Sequence, residues 1–201
     1  MEKSTLQPWD TWTKYKLVAS PSTEAAVRLE EARSAFKMLH PNDGLFPTLE
    51  LSFFNHRLPE SSESLLLSWL FNFMCSQSSF PVLINNISGI PPHQVQARIQ
   101  ATPQHAAFEQ KLVALLSQLS GITASRIQYT QQCRLALITE LPGVVFHRAM
   151  QFFSGIDLYT SIEVQQLELL KMLPTGNWKL LQRFQLAPMP AVQQQPWFQT
   201  I

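Results

Sequence analysis

An α+β fold of two similar lobes is what this sequence predicts, and three observations predict it. Segments in which apolar residues alternate every second position are interleaved with segments where they recur every three or four. A strand–helix–strand unit occurs twice, with Thr48 and Arg134 at equivalent places about 85 residues apart. A hydrophobic content of 45% over 201 residues suffices for one shared core. The repeated strands are expected to line a central cleft between pseudo-twofold-related lobes.

Tyr15–Ala19 reads as the first strand. Ser20 then offers a cap, Pro21 a helix start and Glu24 a favourable charge for the helix N-terminus. Ala25, Leu29, Ala32, Phe36 and Leu39 follow at helical spacing, which predicts an amphipathic helix over Thr23–Leu39. The run His40-Pro-Asn-Asp-Gly44 ends it. Phe46–Phe54 is the next strand candidate, with Leu49, Leu51 and Phe53 on one face and Thr48, Glu50 and Ser52 on the other.

Pro59 and Glu60 open a helix carrying Leu66, Trp69, Leu70 and Phe73. Pro81–Ile87 is a strand, Gly89–Pro92 a turn, and Gln94–Ala101 alternates cleanly between apolar and polar residues. Thr102 and Pro103 start a helix with Phe108, Leu112, Leu115 and Leu119 as its stripe, and Gly121 is expected to stop it. Arg134–Leu141 reads as a strand, followed after Pro142 by a helix with Val145, Ala149 and Phe152. Two last strands, about Glu163–Leu173 and Asn177–Leu186, flank a Pro-Thr-Gly-Asn turn and form a hairpin. Residues 1–14 read as an N-terminal extension, 15–187 as one two-lobed domain, and 188–201 as a disordered or loosely docked tail.

Composition excludes several classes. Charged residues make up 14% and the net charge is +1, so there is no basic footprint for duplex DNA. Cys75 and Cys133 lie outside any CxxC or Cys/His spacing, which argues against a metal site and for two buried thiols in a reducing compartment. No apolar run is long enough to span a bilayer, and the polar start has no signal core, which points to the cytoplasm. No Gly-rich phosphate loop, HExxH, GxSxG or paired-carboxylate spacing occurs, and no cofactor is implied. The five histidines are expected on the surface or in loops. Trp69 and Trp178 are expected in the core. Trp9, Trp12 and Trp197 are placed to pin the termini or dock on a protein partner.

This order of elements resembles the two-histidine (2H, LigT-like) phosphoesterase superfamily, which includes 2′-5′ RNA ligase-like proteins and cyclic phosphodiesterases. The first motif strand corresponds to Pro47, Thr48, Leu49, Glu50 and Leu51, followed by Phe53, Phe54 and Asn55. The second corresponds to Cys133, Arg134, Leu135, Ala136 and Leu137. The resemblance covers about residues 15 to 187 and implies one histidine acting as general base and another as general acid across a phosphodiester. Here the histidine positions become Thr48 and Arg134, and the hydroxyl positions Glu50 and Ala136. In the alternative register Glu50 and Ser52 take the first motif's places. Neither threonine nor arginine exchanges a proton near neutral pH, so the standard chemistry is expected to be absent. His56 cannot substitute in the same strand position, being eight residues beyond Thr48, or about 26 Å along an extended chain.

Thr48, Glu50, Ser52 and Arg134 remain as ligand-binding candidates. Two readings stay open for Arg134: an ion pair with Glu50 across the cleft, or a planar fork on a phosphate. Three functions follow. A catalytically silent module would bind a nucleotide, an RNA end or another phosphorylated ligand. An enzyme with non-standard residues would act on 2′,3′-cyclic or 2′-5′ phosphodiesters, with Glu50 as base and Arg134 stabilising charge. A scaffold domain would contact protein through its tails or its glutamine-rich surface.

Overall fold

A computed structural model describes residues 11–123 and 133–189; the readings made for Trp9, the polar stretch before Gln132, Trp197 and most of the tail lie outside them. The chain runs β1 (Trp12–Ala19), α1 (Thr23–Leu39), β2 (Leu51–Pro59), a 3₁₀ turn (Glu60–Ser62), α2 (Glu63–Met74), β3 (Phe80–Ile90), β4 (Gln94–Gln100) and α3 (Pro103–Thr123). It continues through β5 (Leu135–Ile138), α4 (Gly143–Ser154), β6 (Tyr159–Val164), β7 (Gln166–Met172) and β8 (Trp178–Gln185). Two four-stranded antiparallel sheets result, ordered β2-β1-β7-β8 and β5-β4-β3-β6. Matching the two orders makes β1-α1-β2 the counterpart of β4-α3-β5, which is the repeat expected from the sequence. The fold is α+β and two-lobed.

The lobes meet along edge strands β2 and β5. Leu45 pairs with Thr139, and Ser52 with Arg134, in antiparallel bridges that each exchange two backbone hydrogen bonds. Gly44 prepares the first bridge. Its φ is +89°, a conformation that disfavours any side chain.

Buried stripes seat the helices. Ala25, Leu29, Ala32 and Phe36 of α1 are buried, whereas Leu39 is exposed because it ends the helix beyond the rim of the core. In α2 the buried residues are Leu66, Leu70 and Met74, with Trp69 and Phe73 flanking them. In α3 they are His105, Phe108, Leu112, Leu116 and Leu119, so Leu116 takes the central place expected of Leu115. The helix also runs past Gly121. In α4 the buried face, Phe146, Ala149 and Phe153, is turned about one residue from the expected stripe.

Three strand readings change. β2 starts at Leu51, not Phe46, because Phe46–Glu50 leaves the ladder. A bulge follows, with Leu17 opposite Phe54 and Val18 opposite Ser52, so that Phe53 has no partner on β1. The extra residue lets two consecutive phenylalanines face inward and both be buried. β3 continues through Gly89 to Ile90, accommodating its own irregularity where Asn86 takes a φ of 70°. The first hairpin strand predicted at Glu163 is two elements. β6 closes the second sheet, and after the single residue Gln165 the chain enters the first sheet as β7. Cys75 is exposed, against expectation, because it follows the last buried turn of α2; Cys133 is buried. No helix among the described residues is long and apolar enough to cross a membrane.

Candidate functional site

Strand register decides which side chains share the face where the lobes join. Directly opposed residues of an antiparallel pair point to the same side, as do alternate residues along a strand. Ser52 opposes Val18 on one side and Arg134 on the other. Ser88 opposes Gln96, which opposes Ala136. Lys16, Val18 and Ser52 of the first lobe therefore share a face with Ser88, Gln96, Arg98, Arg134 and Ala136 of the second.

On the first lobe this face is electrostatically closed. The Lys16 ammonium forms an ion pair with Glu50 and sits 4.5 Å from the centroid of the Trp178 ring. Lys16 is only 8% exposed overall, so the pair is shielded from salt and from incoming ligands. Glu168 pairs with Arg183 at 2.8 Å, although there the guanidinium is exposed. The expected Glu50–Arg134 pair does not form, because Glu50 is taken by Lys16 from its own lobe. Trp178, expected in the core, is half-buried as the lid of this pair.

The second lobe is the opposite. Arg98 and Arg134 are exposed and make no ion pair with any described residue. Both line a cavity of about 230 Å³. Its origin is a fork in the sheet: the β4–β5 ladder ends at Ala97 and Leu135, and the next residue, Arg134, is drawn away to pair with Ser52. The gap between the separated strands reaches α3, where His105 and Glu109 form the inner wall with Cys133.

His105 is 1% exposed, which corrects the expectation that all five histidines lie on the surface or in loops. Its place three residues before Phe108 puts it on the buried stripe of α3. The ring stacks on Phe80, with centroids 5.7 Å apart and planes 4° apart, and meets Phe53 edge-on. Nε2 lies 3.4 Å from Glu109 Oε1 without meeting the geometry of a hydrogen bond, and neither ring nitrogen has a hydrogen-bond partner among the described residues. A buried polar atom left so costs about 1–3 kcal/mol. Glu109 also accepts the Cys133 amide at 2.6 Å. Burial pushes the Glu109 pKa up, but the neighbouring His105 ring and the hydrogen bond from the Cys133 amide outweigh it and hold the carboxyl below its usual range. Burial, with the Glu109 charge second, drives the Cys133 thiol well above its ordinary pKa, so it is no nucleophile.

The sequence candidates thus separate. The fold brings together Ser52 and Arg134. It places Thr48 in a different groove, beside Ala26, Glu30 and Arg33 of α1. Ala136 offers no polar atom to this face. His56 opposes Tyr15, whose hydroxyl donates to Glu63 of α2, and so belongs to the helix-covered side. His93 contacts the Leu141 carbonyl and His40 contacts Asp43. Sequence reasoning missed Lys16, Trp178, His105 and Glu109. The signals for them were a lysine inside an apolar strand and a histidine at i−3 from a core phenylalanine. Among the described residues no group of three or more His, Cys, Asp or Glu side chains could hold a metal ion.

No protein-family model matches this sequence, and no curated protein matches it either. Solved structures do. Protein TT0787 of Thermus thermophilus is 14% identical, covers 87% of this chain and 98% of its own, and superposes with a TM-score of 0.64. Escherichia coli LigT in complex with 3′-AMP is 13% identical over 87% of this chain and 98% of its own, with a TM-score of 0.61. A protein described as a phosphoesterase is 14% identical over 88% of this chain and 99% of its own, with a TM-score of 0.58. Likeness at this level over nearly the whole chain establishes the LigT-like fold.

Proposed function

We propose that this chain is a 2H phosphoesterase-like protein without the two-histidine chemistry, and that it binds a nucleotide or another phosphorylated ligand where the lobes join. The observation that carries the reading is the Ser52–Arg134 bridge. It joins the two repeated strands and sets a hydroxyl on one face with a guanidinium that makes no ion pair among the described residues. Arginine suits a phosphate because its fork donates two parallel hydrogen bonds. The fold supports the class of ligand, since a protein of this fold has been crystallised with 3′-AMP.

Catalytic silence rests on proton chemistry. Glu50 is the natural substitute base, but its carboxylate is committed to Lys16. A guanidinium is not a proton-exchanging group in neutral water. Among the described residues of this face the one other amine, Lys16, is held by Glu50 beneath Trp178, so the paired imidazoles of an acid–base relay are not supplied there.

Titration with 3′-AMP and assay with a 2′,3′-cyclic nucleotide test this together. Binding without turnover is expected. Arg134→Ala should weaken binding about 10- to 100-fold, the worth of one charged hydrogen-bonded contact of about 1.5–3 kcal/mol. Turnover that disappears in Glu50→Gln would instead make this an active phosphodiesterase with a carboxylate base. Affinity unchanged in Arg134→Ala would remove the phosphate fork.

A further inference from the structure

We propose that the cavity in the forked sheet is a pocket for a terminal phosphate group, held by Arg98 and Arg134 at its mouth and met by the imidazole of His105 at its inner wall. This deepens the reading above by adding two residues that the repeated strands do not supply, and by naming a monoester end, not an internal diester, as the ligand. It rests on that reading for the role of Arg134 alone.

The geometry carries three parts of it. The first is charge: two exposed guanidinium groups stand against one carboxylate, Glu109, whose Oε1 is already engaged by the Cys133 amide and lies next to His105. An anion entering the fork therefore meets a net positive wall. The second is size. At about 230 Å³ the cavity is smaller than the roughly 300–1,000 Å³ of pockets that take a whole drug-sized ligand. A phosphate fits, while a base and ribose must stay outside, on the face carrying Ser52. The third is closure. α3 backs the cavity, so a chain can enter by its end but cannot pass through, and an internal phosphodiester has no exit for its second ester arm.

His105 is the independent sign that something binds here. A fully buried imidazole normally has both nitrogens satisfied, yet the ring of His105 has no hydrogen-bond partner at either nitrogen among the described residues, although it lines the cavity. A phosphate oxygen would satisfy it. Nε2 lies 3.4 Å from Glu109 Oε1, so the carboxylate stands beside the ring on the same wall of the cavity. A monoester is a dianion near neutral pH, its second pKa being about 6, and so gains from both arginines at once.

The test uses inorganic phosphate as the minimal probe, with calorimetry for affinity and ¹⁵N spectra for the imidazole signals. Phosphate should bind the intact chain and shift the His105 ring resonances. Arg98→Gln, an exposed position that should not affect folding, should weaken binding at least about tenfold. 3′-AMP should bind, whereas a dinucleoside with only an internal phosphodiester should bind at least about tenfold more weakly. Absence of phosphate binding, unchanged affinity in Arg98→Gln, or unmoved His105 signals would each overturn the pocket. If 3′-AMP still bound in an Arg134-dependent manner, the ligand site at the lobe junction would stand and only the fork would be refuted. If phosphate bound through Arg98 but 3′-AMP binding ignored Arg134, the junction reading would fail along with the clamp.

Discussion

Replacing Glu50 with alanine strands the Lys16 ammonium beneath Trp178. Removing one partner of a buried ion pair costs about 3–5 kcal/mol, against about 1 or less for a pair in solvent. The Lys16 side chain is 10% exposed and that of Glu50 23%, so this pair lies nearer the buried limit without reaching it. Water can enter the space vacated by the carboxylate, and the indole at 4.5 Å keeps a cation–π attraction of about 1 kcal/mol. The expected loss is therefore about 2–3 kcal/mol, or about 4–12 °C in Tm for a chain of this length. Urea unfolding followed by tryptophan fluorescence measures it, in a double-mutant cycle with Lys16→Met and Glu50→Leu. The double variant should recover most of the loss, since an apolar pair leaves no charge behind. A Glu50→Ala loss below about 1 kcal/mol, or no coupling in the cycle, would refute the argument that the first lobe is electrostatically closed. In that case Glu50 would be free to act as a base.

Other substitutions follow from the same geometry. Gly44→Ala places a methyl 2.8 Å from Ile138 Cγ2 and 3.0 Å from the Thr139 carbonyl, at a φ of +89°; backbone strain and overpacking together should cost about 2–4 kcal/mol in a thermal melt. Thr102→Val removes the hydroxyl that accepts the His105 amide at 3.2 Å and donates to the Pro81 carbonyl at 2.9 Å, and should cost about 1–3 kcal/mol by urea unfolding. Burial lowers the folded-state pKa of His56, so the unfolded chain takes up a proton first as pH falls. Stability should decline from about pH 6.5 downward, toward the depressed folded value, and His56→Gln should flatten that part of a Tm-against-pH profile. Glu109 is also depressed, but its contribution is present above the ordinary carboxylate range and is lost only as pH falls below about 4.5. Glu109→Gln should shrink that lower step, to which Glu60 also contributes through the hydrogen bonds it accepts from Lys171, Thr11 and Thr13, and leave the upper one.

How far the fold was legible depended on local signals agreeing with tertiary ones. Gln94–Gln100 and Thr23–Leu39 lie close to where their periodicity places them, because one face of each is wet and one dry. The LigT-like order could be read for the same reason. β2 was misplaced because the alternation through Leu49, Leu51 and Phe53 continues without a break, while the bulge that shifts the ladder is created by the partner strand. β6 was merged with β7 because a one-residue change of sheet leaves no turn residues behind. The site was legible only in part. Arg134 and Ser52 could be found from the repeat, but the closing of Glu50 by Lys16 depends on a cross-strand neighbour. That Arg98 and His105 line one cavity depends on where a ladder stops. Alternation marks faces, not the ends of pairing.

The passage through Gln165 has a consequence for how the molecule is assembled. The first sheet is started by the opening residues of the domain and finished by its last hairpin, with the whole second sheet made in between. A growing or truncated chain that stops short of Gln166 therefore leaves one long edge of β1 uncovered, its amides and carbonyls available to any strand that comes by. The two halves look like a duplication, yet neither can be cut free. Lys16 waits for the indole that covers it until Trp178 has been added, so the quiet half of the face is among the last parts of the molecule to be completed.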